Sequence, residues 1–162
     1  MLDCGIQSGF TNLGQVSMYN RLDLLQILYN EKDSFLNDNS VLDYAGNIEI
    51  VEYLSNLGAS CTTKAMNNAA LHGRLQIIQL LHLNRSDGCT SVAMDYAALH
   101  GRLQIIQLLH LNRSEGCTSD AMNYAAKYGY LDIVKWLHLN RSEGCSVSAM
   151  VLKRVTLKLS NS

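Results

Sequence analysis

Proline is missing from this chain altogether, no sign of charge is in surplus, and no apolar run is long. Thirteen basic residues stand against fourteen acidic ones, a formal net charge of −1. That balance removes the electrostatic footprint expected of a protein that holds nucleic acid or an anionic membrane. No segment approaches the roughly eighteen consecutive apolar residues that cross a bilayer. The first residues, MLDCGIQSGFTNLG, carry an acid at Asp3 and lack both the basic cluster and the apolar stretch of a secretory signal, so the expected location is the cytoplasm. In that reducing compartment Cys4, Cys61, Cys89, Cys117 and Cys145 are expected to be free thiols. What the chain does have is 162 residues, 48% of them apolar, which is enough to bury one core.

The last four cysteines recur every 28 residues, and the rest of the sequence recurs with them. AMNNAALHGRLQIIQLLHLNRSDGCTSV (65–92) and AMDYAALHGRLQIIQLLHLNRSEGCTSD (93–120) differ at four of 28 positions, which points to recent duplication. AMNYAAKYGYLDIVKWLHLNRSEGCSVS (121–148) is a more diverged copy. Residues 41–64 fit the same frame if three residues are missing between Ala45 and Gly46 and one more before Cys61, and residues 12–40 fit it more loosely. The expected organisation is an N-terminal segment (1–11), a repeat domain (12–148, with 41–64 shortened) and a partial or capping repeat (149–162). A fixed period of this length marks a repeat architecture.

Each unit reads as two helices. Thr90 and Ser91 are placed to cap the first, because a side-chain oxygen accepts from an unpaired amide of the first turn. Ala93, Met94, Ala97 and Ala98 share one face, and the small alanines admit a neighbouring helix closely. Gly101 ends the helix in the left-handed conformation. In the second helix, LQIIQLLHL, the spacing predicts an apolar stripe of Leu103, Ile106 and Leu109 flanked by Ile105 and Leu108. One such hairpin cannot bury its apolar face alone, so neighbours must stack. The expected fold is all-α, a solenoid of helical hairpins.

The frame A-M-x-Y-A-A-x-x-G-x-L-x-I-V-x-x-L resembles the helix-turn-helix of the ankyrin repeat, and GNIEIVEYLSNLGAS resembles that family's second helix and exit loop. The usual ankyrin period is about 33 residues, so a 28-residue unit has lost most of the β-hairpin that joins successive repeats. No T-P-L-H occurs, consistent with the absence of proline. The pattern is similar to short-period ankyrin arrays of amoebae and large viruses. Tetratricopeptide and leucine-rich repeats fit less well, lacking the aromatic pattern or the Asn spacing they require.

The octet HLNRSEGC (110–117 and 138–145), with HLNRSDGC at 82–89, invites a reading as a site. Zinc needs three or four converging ligands, yet each copy offers one His and one Cys, and stacked copies lie about 10 Å apart. The same spacing excludes disulfides between copies. A nucleophilic cysteine needs one singular pocket with an activating base, whereas this pairing recurs along the chain. No cofactor, metal or catalytic residue is therefore expected. Arg113 and Glu115 are expected in exposed charge ladders, and Arg74 and Arg102 on a solvated face. Trp136 is assigned to the core, with its indole N–H at the rim.

Between the alanine pair and the glycine the core makes no demand. The candidate contact residues there are Leu71, His72, Leu99, His100, Lys127 and Tyr128, with Met18 and Tyr19 in the first copy. The resemblance implies that these positions line a concave groove and contact a partner protein together with Thr63, Ser91 and Ser119. The expected function is a non-enzymatic protein–protein interaction module, a monomer that binds another protein and neither nucleic acid nor membrane. The competing expectation is a fragment or decayed copy of a longer array with no binding role of its own, suggested by the shortened copy and by the way VTLKLSNS departs from the repeat frame.

Overall fold

The computed structural model describes residues 41–84 and 86–142, together with Leu22, Asp23, Leu25 and Gln26, which are helical. The segment 1–11, the rest of the copy at 12–40, the copy at 149–162, and Cys4, Cys145, Met18 and Tyr19 lie outside the described residues. The chain divides into two compact units, Met1–Ala65 and Met66–Ser162.

In the first unit the shortened copy begins with a 3-10 turn, Leu42–Tyr44, followed by helix α1, Ile48–Asn56. Three residues fewer leave no length for a full first helix, and a single 3-10 turn needs only one i→i+3 closure: the Ala45 amide donates to the Leu42 carbonyl. Asn47 caps α1, its Oδ1 accepting from the Glu49 amide at 2.8 Å. Ile50, Val51 and Leu54 are buried at i, i+1 and i+4 on one face.

Helix α2 (Thr63–Leu71) is followed by α3 (Leu75–Asn84), α4 (Ser91–Leu99), α5 (Leu103–Asn112), α6 (Ser119–Tyr128) and α7 (Leu131–Asn140). The described residues contain no strand, so the architecture is all-α. Within the second unit the first helices α4 and α6 pack together, the second helices α3 and α5 pack together, and α4–α5 and α6–α7 are hairpins. Ala93, Met94, Ala97 and Ala98 are all buried, as their spacing predicts. At each hairpin the backbone closes five residues back, Arg74 N–H to Ala69 O, Arg102 N–H to Ala97 O and Tyr130 N–H to Ala125 O, at 2.8–2.9 Å. That closure needs a left-handed residue at the turn, supplied by Gly73 (φ 73°), Gly101 (φ 71°) and Gly129 (φ 79°).

The second-helix stripe differs from the expected one. Ile105, Ile106 and Leu109 are buried, whereas Leu103 and Leu108 are only half-buried. The same phase holds in α3 (Ile77, Ile78, Leu81) and α7 (Ile133, Val134, Leu137). Apolar residues wrap so much of this helix that the sequence alone offers two stripes, and packing selects the one centred on the adjacent β-branched pair. Leu103 opens its helix at the rim of the turn, outside that layer.

Candidate functional site

Three side-chain joints each tie the first-helix segment of a copy to the residue that opens the next first helix. Asp43 grips Thr62, its Oδ1 accepting from the backbone amide and its Oδ2 from the hydroxyl, both at 2.7 Å. Asp95 grips Thr118 in the same way, at 2.9 Å for both bonds. Between Asn67 and Thr90 the amide oxygen accepts from Thr90 N–H at 3.1 Å and Nδ2 donates to the hydroxyl at 2.9 Å. Asp43 and Asp95 are the buried polar residues of the described chain. Burial pushes the Asp95 carboxyl above its ordinary value, partly offset by the bonds from Thr118. None of this was anticipated from the sequence, where the residue reads as a free x in AMxYAA; the available signal was Asp or Asn at x in every copy from 41 onward, with Thr or Ser ahead of each following helix.

Thr90 occupies the expected capping position but makes no capping bond with its side chain. Thr118 does cap, accepting from the Asp120 amide, and Thr62 accepts from the Lys64 amide, each at 3.1 Å. Thr63, Ser91 and Ser119 are each the first residue of their helix, and all are half-buried.

The octet belongs to the same joints. Asn112 Nδ2 donates to the Leu108 carbonyl at 2.8 Å, closing the end of α5. Arg113 and Glu115 pair at 2.7 Å with side chains only 18% and 26% exposed, so they are not the exposed ladder expected. Glu115 Oε1 also accepts from the Cys89 amide of the preceding copy, because the octet folds back across Gly88, where a Cβ would overlap the Arg113 guanidinium. Burial, with the Glu115 charge nearby, pushes the Cys89 thiol up to about 11, which keeps it protonated and a poor nucleophile at neutral pH. Cys61, Cys89 and Cys117 are buried free thiols. Among the described residues no three His, Cys, Asp or Glu side chains gather as a metal site.

Trp136 is half-buried rather than core, as are Leu80 and Leu108 at the same position. Its ring meets His110 edge-on, with centroids 5.0 Å apart. His110 Nδ1 also lies 3.3 Å from Arg141 Nη1. One copy earlier, His82 Nδ1 is buried without a hydrogen-bond partner, since Arg113, the counterpart of Arg141, has turned onto Glu115.

The candidate contact residues lie at the inter-helix turns. Leu71 and Leu99 end α2 and α4 and are half-buried, while His72 and His100 beyond them are exposed. Lys127 and Tyr128 end α6 and are both exposed, Tyr128 at 52%. Lys127 Nζ sits 5.3 Å from the centroid of the Tyr128 ring, which stacks on Tyr130 at 6.4 Å. The turns also touch one another. Arg102 lies against Gly73 and Tyr130 against Gly101, each so close that a Cβ on the glycine would collide with it. Arg74 is half-buried, and its pKa is lowered by that burial. His72 is lowered from its ordinary value by burial first, then by Arg74 and His100.

A second surface went unnoticed in the sequence. Leu83, Leu111 and Leu139 are 80%, 79% and 82% exposed at the same position of three successive copies. They lie one residue beyond each helix's histidine, out of phase with the buried stripe. That phase could have found them, had the stripe been centred on Ile105 and Ile106.

Among the described residues no helix is long and apolar enough to cross a membrane. The chain matches a family model described as ankyrin repeats (many copies) over residues 68–110 and again over 94–138. No curated protein and no solved structure matches it.

Proposed function

Residues 68–138 are ankyrin repeats, and from that premise we propose that the chain is a non-enzymatic protein-interaction module whose partner docks on the inter-helix turns of its second unit. Ankyrin repeats generally mediate binding between proteins. The observation that carries the assignment to the turns is Tyr128. Tyr128 is 52% exposed, yet Lys127 lies over its ring and Tyr130 stacks against it, so an aromatic face with partners of its own is open to solvent. Exposed aromatics are enriched at interface centres. His72, His100, Leu71 and Leu99 continue the surface along the preceding copies.

A second reading places the partner on Leu83, Leu111 and Leu139, supported by their exposure of about four-fifths in each copy. One experiment separates the two. The tagged wild type, a turn variant (His72→Ala, His100→Ala, Tyr128→Ala) and a ladder variant (Leu83→Ser, Leu111→Ser, Leu139→Ser) are used to capture partners from the native cell, with circular dichroism as the folding control. Loss of a captured protein by the turn variant alone is the expected result. Loss by the ladder variant alone transfers the site to the leucines. A wild type that captures nothing beyond the background of both variants supports the decayed-array reading instead.

A further inference from the structure

We propose that the surface formed by the three turns selects an acidic polypeptide segment, in polyproline II conformation, with carboxylates at every third residue. This rests on the turns being the contact surface and adds the chemistry of what they contact. The turns read LHGRL (71–75), LHGRL (99–103) and KYGYL (127–131), with three formal positive charges in Arg74, Arg102 and Lys127, two histidines, and no carboxylate. In a chain of net charge −1 that is a local concentration of one sign, and a surface of one sign selects and steers a partner of the other.

The groups are contiguous. Arg74 and His100 are near enough to His72 to depress its protonation, and Arg102 reaches back over Gly73. An open cleft of about 260 Å³ runs beside Gly73, Gly101, Arg102 and Gln104, leaving one edge of the Arg102 side chain accessible. On the other side of Gly101, Tyr130 and Tyr128 stack beneath Lys127. The nearest acid along the chain is Asp132, in the first turn of α7, where the other two copies have Gln76 and Gln104. The positive character is therefore strongest at the first two turns.

Spacing narrows the class further. Packed helices, and so successive turns, recur at about 10 Å, and a polyproline II chain advances about 3.1 Å per residue with three residues per turn. Three residues of a polyproline II segment therefore span one copy and complete one turn, so side chains at i, i+3 and i+6 share a face and reach three successive turns. A nucleic acid is the less favoured polyanion, because only the third turn offers aromatic rings for base stacking and the chain as a whole carries no positive surplus.

The test is an NMR titration of the whole chain with three probes. These are a ten-residue Gly/Ser peptide bearing Glu at every third position, the same peptide with Lys in place of Glu, and a ten-nucleotide oligothymidylate. The Glu peptide is expected to shift resonances of residues 72–74, 100–102 and 127–130, and the Lys peptide to shift none. Arg74→Gln with Arg102→Gln should weaken the Glu peptide about tenfold, while Arg74→Lys with Arg102→Lys keeps most of the affinity. Equal affinity for the glutamine variant, shifts outside the turns, no binding, or tighter binding of the oligothymidylate would each overturn the proposal. If the Glu peptide fails while the turn variant still loses its captured partner, the docking surface stands and only its acidic selectivity falls. If the turn variant retains every captured partner, the docking surface itself falls.

Discussion

At Thr118 the hydroxyl donates to Asp95 and also accepts from the Asp120 amide, so one residue both joins α4 to α6 and caps a helix. At Thr90, one copy earlier, the hydroxyl accepts from Asn67 Nδ2 and caps nothing. The backbone bond fixes the sense of each joint. Thr90 N–H must point at an acceptor, so the Asn67 oxygen faces it and only the NH2 group remains for the hydroxyl. A carboxylate has two acceptors and imposes the opposite polarity on the same threonine. The difference between the joints thus lies in one hydrogen-bonding group, and its effect appears at the start of the next helix, 23 residues away.

The comparison is most strongly tested by removing each grip. Asp95→Ala strips charge-assisted bonds from Thr118 and should cost about 3 kcal/mol in urea unfolding, against about 1.5 kcal/mol for Asn67→Ala, whose bonds are neutral. Equal costs would mean that burying the Asp95 carboxylate cancels the extra strength of its bonds. A smaller effect comes from converting one joint into the other. Asn67→Asp should reverse the Thr90 hydroxyl, restore its cap on α4 and stabilise the chain by about 1 kcal/mol. Slower hydrogen exchange at the Val92 amide would report the new cap, and unchanged exchange there would refute the polarity argument.

The smallest effect is in the pH dependence. Burial raises the Asp95 pKa above its ordinary 3.8, so its contribution is greatest below that value and is lost as pH rises through the raised one. Glu115 runs the other way. Burial alone would raise it, but bonds from Arg113 and from its own and the Cys89 amides bring it below 4.5, so its contribution is present above 4.5 and lost as pH falls through the lowered value. Asp95→Asn should therefore remove a decline in stability with rising pH, and Glu115→Gln a rise. Urea midpoints measured across the carboxylate range would show the two slopes with opposite sign.

The repeat, its helix pairs and its glycine turns were legible in the sequence because each is a local pattern: a period, a face of small residues, a residue that tolerates positive φ. Asp95 was not, because a lone acid on a helix reads as solvent-facing until its partner is known, and the partner is a threonine 23 residues on, at the entry to the next first helix. Leu111 was hidden for a different reason. LQIIQLLHL is apolar around so much of its circumference that its hydrophobic face is set by what packs on it, and only then is one leucine left over. Of the candidate contact residues, Tyr128, His72 and His100 proved open to solvent, while Leu71 and Leu99 are tucked halfway under the turns.

The duplication of LHGRL also sets how a bound segment can choose its place. A segment short enough to need one turn finds the same five residues at 71–75 and 99–103, and so has two registers of like sequence one copy apart, differing in the neighbour over the glycine, Arg102 at the first and Tyr130 at the second. Such a ligand gains a twofold statistical advantage and can step between registers without leaving the surface. KYGYL ends that degeneracy: a segment long enough to reach Tyr128 meets a third turn unlike the other two, and only one alignment satisfies it. Length, more than composition, would then decide whether a ligand slides or locks.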